Sequence, residues 1–80
     1  MSDFENLIRE AGREQRRVLI KFDCGPNTQY ERELEPYAIR DGELHAFSYL
    51  RNEFRTLRMS DIRRVELTPR NFAPRRPIEL

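Results

Sequence analysis

The spacing of apolar residues predicts an N-terminal helix over residues 3–16. One helical face collects the apolar side chains at positions i, i+3, i+4 and i+7, namely Phe4, Leu7, Ile8 and Ala11. Ser2 or Asp3 is placed to cap the first turn, and Arg13 and Arg16 lie near the last turn, where cations are favoured. We expect this helix to cover one side of a sheet.

Beyond the helix, β-branched and alternating patterns predict five short strands separated by turn signals. The first strand places alternate side chains in the core, namely Val18, Ile20, Phe22 and Cys24. The pair Asp41-Gly42 predicts a tight hairpin between the second and third strands. The predicted strands cover residues 18–24, 30–39, 44–50, the segment from 54 to a corner at 60–61, and 62–68.

Five short strands with tight turns favour a small β-barrel, because closing a sheet removes its unpaired edges. We therefore expect one domain over residues 1–80, with the helix at 3–16, the barrel at 17–68 and a Pro-rich C-terminal arm at 69–80. Pro36 lacks a backbone donor and marks an edge, a bulge or a bend. In the arm, Phe72, Ile78 and Leu80 either dock on the body, dock on another copy, or belong to an extended segment.

Composition excludes several classes of protein. The 80 residues contain no run of 18 apolar residues, which excludes a transmembrane helix and leads us to expect no membrane partner. The acidic N-terminus lacks the apolar segment of a signal peptide. Cys24 is the single cysteine, so no internal disulfide forms, and this fits a reducing cytoplasm.

Residues for catalysis or metal binding are sparse. His45 is the single histidine and has no serine or cysteine at triad-like spacing, so it is read as a surface or packing residue. Cys24 is read as a small buried apolar group rather than a nucleophile. Glu31, Glu33 and Glu35 alternate along a strand and are read as one solvated face. We therefore expect no enzyme activity, no cofactor and no metal site.

Charge is distributed unevenly. Residues 1–50 carry 7 basic and 10 acidic side chains, whereas residues 51–76 carry 8 arginines and 3 acidic side chains. Within the basic half, residues 54–62 interleave apolar and cationic positions, so that Arg55 and Arg58 point to opposite faces of a strand. A strand with arginine on both faces is either an edge strand or the wall of an anion-binding site.

Two interpretations of these arginines stay open on physical grounds. Arg51, Arg55, Arg58, Arg63 and Arg64 accompany the aromatic residues Phe47, Tyr49 and Phe54. Aromatic rings that stack on bases, next to arginines that neutralise phosphates, are typical of single-strand binders. Alternatively the arginines pair across strands with glutamates, namely Glu31, Glu33, Glu35 and Glu43. Such surface pairs contribute under about 1 kcal/mol each.

Several segments together resemble the WYL domain family, in the order that the family has them. They are Leu7–Ala11, Arg17–Phe22, the R-x-x-x-P segment Arg32–Pro36, the segment Asp41–Leu44, and residues 49–62, which resemble the family signature R-x-F-R-L-x-R-I. The tripeptide that names the family falls at about Gly42-Glu43-Leu44, where Leu44 alone is kept. The resemblance implies a five-stranded SH3-like or Sm-like β-barrel with one N-terminal helix. Such domains occur in bacterial regulators and defence systems.

The resemblance also implies a basic pocket that senses a nucleotide or single-stranded nucleic acid. By position, Arg55 and Arg58 match the signature arginines, Arg32 matches the arginine of the second strand, and Arg51 lies nearby. Phe22 and Tyr49 are carried over as pocket walls. The leading hypothesis is thus a non-enzymatic ligand-sensing and regulatory domain. The alternative is an assembly module without a small ligand, which forms a homodimer or binds a partner regulatory protein.

Overall fold

A computed structural model describes residues 3–80. The elements, in chain order, are α1 Asp3–Arg13, β1 Arg16–Asp23, β2 Gln29–Arg40, β3 Glu43–Ser48, β4 Glu53–Arg58, a 3-10 turn Met59–Asp61, and β5 Ile62–Asn71. The helix was predicted to reach residue 16 but ends at Arg13, because Gln15 adopts a left-handed φ of 54° and its N–H donates to the Gly12 carbonyl at 3.1 Å. The predicted cap at Ser2 lies outside the described residues.

The five strands form one antiparallel sheet in the order β4-β3-β2-β1-β5. The prediction of a mostly β domain with one N-terminal helix is confirmed, but the prediction of a closed SH3-like or Sm-like barrel is wrong. β5 leaves the 3-10 turn beside β1, where Ile62 pairs with Phe22, and it stays with β1 as far as the pair Arg16 and Asn71. β4 pairs with β3, so within residues 3–80 β4 and β5 are both edges of the sheet.

The two edges are protected by composition instead of closure. β4 is short and carries three charged residues among its six, and β5 carries Pro69, which has no backbone donor. Short strands, charges and prolines are common protections of a sheet edge. A barrel is therefore not needed to protect these edges, which is why the prediction of a closed sheet was wrong.

Local turn chemistry places the bends where the sequence predicts them. Asp41 and Gly42 have φ values of 51° and 76°, and Arg40 pairs with Glu43 across this hairpin. Positive φ at both central residues is the requirement of the two-residue hairpin turn. The register of β2 shifts between Pro36 and Ala38, so the prediction of an irregularity at Pro36 is confirmed. The corner near Ser60-Asp61 is the 3-10 turn.

One face of the sheet, called the helix face here, packs against α1. Ile8 and Ala11 of α1 are fully buried there, which confirms the predicted apolar side of the helix. They pack with the buried strand residues Val18, Ile20, Phe22, Leu34, Leu44, Ala46, Ile62 and Val65. Cys24 is exposed, so its predicted core position is wrong, because β1 ends at Asp23 and Cys24 already belongs to the following turn.

The opposite face carries a second, smaller core and is called the arm face. Tyr37, Phe47 and Phe72 are buried in it, with Tyr49 and Ile78 packed against them. Residues 72–80, called the arm from here on, fold back across this face. The two backbone hydrogen bonds that hold the arm run from Phe72 N–H to the Gln15 carbonyl (2.9 Å) and from Glu79 N–H to the Tyr37 carbonyl (2.7 Å). Of the three alternatives for the tail, docking on the body is the one observed.

The end of the arm reaches α1. Leu80 packs on the helix-face core, and a Cβ at Gly12 would lie 2.2 Å from the Leu80 Cδ1 atom. A side chain at position 12 would clash with Leu80, so the docked position of Leu80 requires glycine there. Within residues 3–80, no helix is long and apolar enough to cross a membrane.

Candidate anion-binding pocket

A pocket of about 140 Å³ opens on the helix face beyond the part that α1 covers. Its walls come from β1, β2, β3 and β4 and from the turns that follow β1 and β3, with the lining residues Phe22, Cys24, Tyr30, Arg32, Leu34, Ala46, Ser48, Arg51, Arg55 and Leu57. The register explains this set. Phe22 pairs with Tyr30, Leu34 with Ser48, and Ala46 with Arg55, and side chains of paired residues project from the same face of a sheet.

Three arginines surround an apolar floor in this pocket. Arg32 and Arg55 are half-buried on β2 and β4, and Arg51 is exposed in the turn between β3 and β4. Leu34, Ala46 and Leu57 form the floor between them. Among residues 3–80, no carboxylate forms an ion pair with Arg32, Arg51 or Arg55.

Within residues 3–80, none of the four glutamates proposed as cross-strand partners forms an ion pair with Arg51, Arg55, Arg58, Arg63 or Arg64, although Glu43 stands opposite Arg58 in the register. Glu33 pairs with Arg17 and Arg70, and Glu35 pairs with Arg75. Arg63 pairs instead with Asp23 on β1, and Arg64 with Glu66 on its own strand. The predicted pairs between the five arginines of the basic half and these four glutamates are therefore not formed within residues 3–80, although Arg63 does pair across strands with Asp23. In the pocket, Arg51 and Arg55 form no ion pair among these residues, and Arg32 donates one N–H to the Glu31 carbonyl at 2.9 Å.

An aromatic wall stands beside the arginines. The rings of Phe22 and Tyr30 meet edge to face at 6.2 Å between centroids, and the Arg32 guanidinium carbon lies 4.7 Å from the centre of the Tyr30 ring. Tyr30 is 41% exposed, so solvent reaches part of this wall. Tyr30 is not among the site residues predicted from the sequence. The available signal was its spacing of two from Arg32, which places both on one strand face.

The structure divides the six predicted site residues among three places. Arg32, Arg51, Arg55 and Phe22 line the pocket together. Arg58 lies in an adjoining open groove between the end of β1 and β4, close to Asp23 and Asp61. Tyr49 lies on the arm face, where its hydroxyl donates to Glu35, and the structure does not bring it to the pocket. Phe47 and Phe54 also lie on the arm face, so the aromatic residues near these arginines are not those expected from sequence proximity.

On the arm face, the Glu35 carboxylate is buried, with 2% of the residue exposed, so the prediction that it belongs to a solvated face is wrong. The Tyr37 hydroxyl donates to its Oε1 atom at 2.6 Å, and the Tyr49 hydroxyl donates to Oε2. Arg75 of the arm adds an ion pair through Nε at 3.2 Å. Three donors satisfy a charge that would otherwise be costly to bury.

These contacts shift the titration of both tyrosines. Burial, followed by the hydrogen bond to the Glu35 carboxylate, raises the pKa of Tyr37 from 10.0 to about 12. The same two causes raise the pKa of Tyr49 above its ordinary value. In both residues the neutral phenol is the form that the folded protein favours.

We expect the free energy of unfolding to fall as the pH rises from 10 through 12. The unfolded chain loses its phenol protons near pH 10, whereas Tyr37 keeps its proton up to about pH 12 in the folded state, so the unfolded state binds fewer protons in this window. At about 1.4 kcal/mol per pKa unit, Tyr37 alone accounts for roughly 3 kcal/mol. Urea denaturation at a series of pH values measures this, and Tyr37→Phe should flatten the curve. An equally steep fall in Tyr37→Phe would contradict it.

The described part of the chain contains no group of side chains suited to metal binding. Residues 3–80 hold no group of three or more His, Cys, Asp or Glu side chains that could hold a metal ion. Cys24 lies at the mouth of the pocket with its thiol exposed, and His45 is half-buried on β3. Neither has a catalytic partner among the hydrogen bonds of the structure.

Comparison with protein families gives a match to a known domain. The model of the WYL domain matches residues 3–67, which takes in α1, β1–β4 and most of β5. Comparisons with curated proteins and with solved structures give no match. The matched segment contains every residue that lines the pocket, and the arm lies outside it.

Proposed function

Because the chain belongs to the WYL domain family, whose members are ligand-binding regulatory domains of bacterial transcription regulators, we propose that it is a non-enzymatic sensor domain. Its ligand carries phosphate and at least one base: a nucleotide or a segment of single-stranded nucleic acid. The observation that carries this proposal is the set of three arginines, Arg32, Arg51 and Arg55, without carboxylate partners around an apolar pocket.

The arginines supply the affinity for phosphate. Guanidinium groups bind phosphate through two parallel hydrogen bonds, and charge-assisted bonds of this kind are about twice as strong as neutral ones. Arg32 and Arg55 are half-buried, so their guanidinium groups are already partly desolvated in the folded protein. An anion beside them compensates this desolvation penalty. We expect Arg58, in the adjoining groove, to contact a further phosphate of a single-stranded nucleic acid.

The size and lining of the pocket favour one flat ring. Its volume of about 140 Å³ is close to that of an engineered apolar cavity of roughly 150 Å³ that binds benzene. Phe22 and Tyr30 offer ring edges and faces, and stacking of a base on an aromatic side chain is worth about 1–3 kcal/mol. A nucleotide could place its base on the apolar floor and aromatic wall of the pocket and its phosphate next to the arginines.

A second candidate function, assembly with another copy or a partner regulator, rests on a different feature. Leu50 and Phe54 are 65% and 42% exposed, in the turn before β4 and at its start, and β4 has one unpaired side within residues 3–80. Exposed apolar side chains next to an open edge favour strand addition by a partner. The docked arm no longer supports this candidate, since Phe72 and Ile78 are used within the chain.

Fluorescence anisotropy with short single-stranded and duplex oligonucleotides, over a series of salt concentrations, tests the proposal. We expect the wild type to bind single strands with an affinity that falls steeply with salt, because phosphate neutralisation releases counterions. The double variant Arg55→Ala/Arg58→Ala should bind more weakly, with a salt slope shallower by about 2, and Arg64→Ala should match the wild type.

The opposite result would be a folded protein that binds no oligonucleotide or nucleotide at low salt. Such a result would reject the sensor function and favour assembly through β4. Light scattering over a range of protein concentrations then distinguishes a homodimer from a monomer that awaits a different partner.

A further inference from the structure

The arm occupies a groove that has its own floor and its own charge. The groove, called the arm groove, is formed by Glu35, Tyr37, Phe47, Tyr49 and Phe54. It lies on the arm face, whereas the anion-binding pocket lies on the helix face. Whatever the arm groove does is therefore separate from the proposed sensor function, and the two can fail independently.

Arg75 makes three contacts in this groove. Its Nε donates to the Glu35 Oε1 atom at 3.2 Å, its guanidinium carbon lies 3.8 Å from the centre of the Phe47 ring, and its backbone N–H donates to the Tyr37 hydroxyl at 2.8 Å. A buried carboxylate below and an aromatic face beside a cation form a specific receptor for arginine, since the planar guanidinium both pairs and stacks.

Arg76 uses the neighbouring part of the groove. Its guanidinium carbon lies 4.0 Å from the centre of the Phe54 ring and 5.6 Å from that of Tyr37. Pro74 and Pro77 flank the two arginines, so the seated segment reads Pro-Arg-Arg-Pro. Further along, Glu79 pairs in parallel with Ala38 of β2 and forms an ion pair with Arg40.

The floor of the groove is much more buried than the segment that crosses it. Glu35, Tyr37 and Phe47 retain 2%, 1% and 5% exposure beneath the arm, whereas residues 73–77 of the arm are all exposed. Residues 73–77 are held over this floor by the ion pair and the ring contacts of Arg75 and Arg76, while Phe72 and Ile78 on either side of them pack into the arm-face core. The floor also lies within the family-matched residues 3–67, while its occupant lies outside them.

Aromatic-lined grooves that bind Pro-x-x-Pro segments are a recurrent mode of peptide recognition, because a proline-rich segment is already extended and loses little entropy on binding. We propose that the arm groove is a recognition site for an extended partner segment that carries arginine within a Pro-x-x-Pro frame. The chain's own residues 74–77 occupy the site and compete with that partner.

Competition between the chain's own arm and a partner segment determines how tightly the partner segment binds. A covalently attached segment is present at an effective concentration in the millimolar range for a short flexible connection. A free partner segment therefore binds the wild type weakly, and binds well where the arm is loosened. Loosening the arm also removes Leu80 from its contact with Gly12, which couples the groove to α1.

A peptide titration of the full chain tests the proposal. The probe is a synthetic peptide of residues 71–80, and the matched control peptide has both arginines replaced by alanine. The protein is used as wild type and as Arg75→Ala/Arg76→Ala, and binding is followed by two-dimensional NMR. We expect the probe to half-saturate the variant at a concentration at least about 10-fold lower than the wild type needs. The shifts should fall at Glu35, Tyr37 and Phe47, and the control peptide should cause none.

The proposal is overturned if the folded variant binds neither peptide, or if it binds both equally, which would indicate general apolar adhesion. A dimer of the wild type that disappears in the variant would assign the groove to a second copy through exchanged arms and would also overturn the choice of a separate partner.

If the double variant does not fold, Arg76→Ala alone serves, because it removes the stacking on Phe54 and keeps the ion pair between Arg75 and Glu35. Oligonucleotide binding by the same variant should equal that of the wild type.

Discussion

Replacing Arg55 by glutamate is expected to weaken binding of a nucleotide or single-stranded oligonucleotide by at least about 100-fold while the domain stays folded. A hydrogen bond between charged groups contributes about 1.5–3 kcal/mol, and the new carboxylate adds repulsion toward phosphate. The fold should tolerate the change, because Arg55 takes part in no ion pair among residues 3–80 and the introduced carboxylate faces Arg32 and Arg51.

The matched control is Arg64→Glu, which changes net charge by the same amount. Arg64 lies on β5, pairs with the exposed Glu66, and stands opposite Lys21 in the register, so a glutamate there gains a cross-strand cation. Fluorescence anisotropy gives the affinity, and far-UV circular dichroism gives the fold. An Arg55→Glu variant that is folded and binds as well as Arg64→Glu would remove Arg55 from the site.

Replacing Tyr37 by alanine is expected to lower the free energy of unfolding by about 3–5 kcal/mol, the range for an aromatic residue removed from a core. Tyr37 is 1% exposed, and its ring packs edge to face with Phe54 at 5.4 Å and with Phe72 at 5.8 Å. Its loss opens a cavity and takes one donor from the buried Glu35 carboxylate. For a domain of 80 residues this is a large share of the total stability.

Tyr37→Phe separates packing from hydrogen bonding. The ring stays, but the hydroxyl that donates to Glu35 and accepts from the Arg75 N–H is lost, which we expect to cost about 1–3 kcal/mol. Urea denaturation followed by circular dichroism measures both variants. Equal losses in the two variants would show that the hydroxyl network, and not the packing of the ring, holds the arm face together.

About half of the candidate site follows from the sequence. Arg32, Arg51, Arg55 and Phe22 were named through the family resemblance, and the structure places them around one pocket. Tyr30, Cys24 and Ser48 were not named, because their place in the pocket depends on the pairing of β1 with β2 and of β2 with β3. Tyr49 was named for the pocket, yet it follows β3 on the arm face.

The sequence by itself determined the local features of this protein. The apolar period of α1, the Asp41-Gly42 hairpin, the irregularity at Pro36 and the corner before β5 each depend on the preferences of a few adjacent residues, and all four are observed. The identity of the family also follows from the sequence, because its motifs occur in order between residues 7 and 62, and the family model matches residues 3–67.

Only the tertiary structure decided which partner each strand and each charge finds. The sheet stays open because β5 pairs with β1 on one side only and does not also pair with β4 to close the ring of strands. Glu35 is buried instead of solvated because Tyr37, Tyr49 and Arg75 converge on it, and Arg75 is 40 residues away along the chain. The hydrophobic period and the secondary-structure propensities depend on residues that are close in sequence. Burial of a charge and closure of a sheet depend on contacts between segments that are distant in sequence.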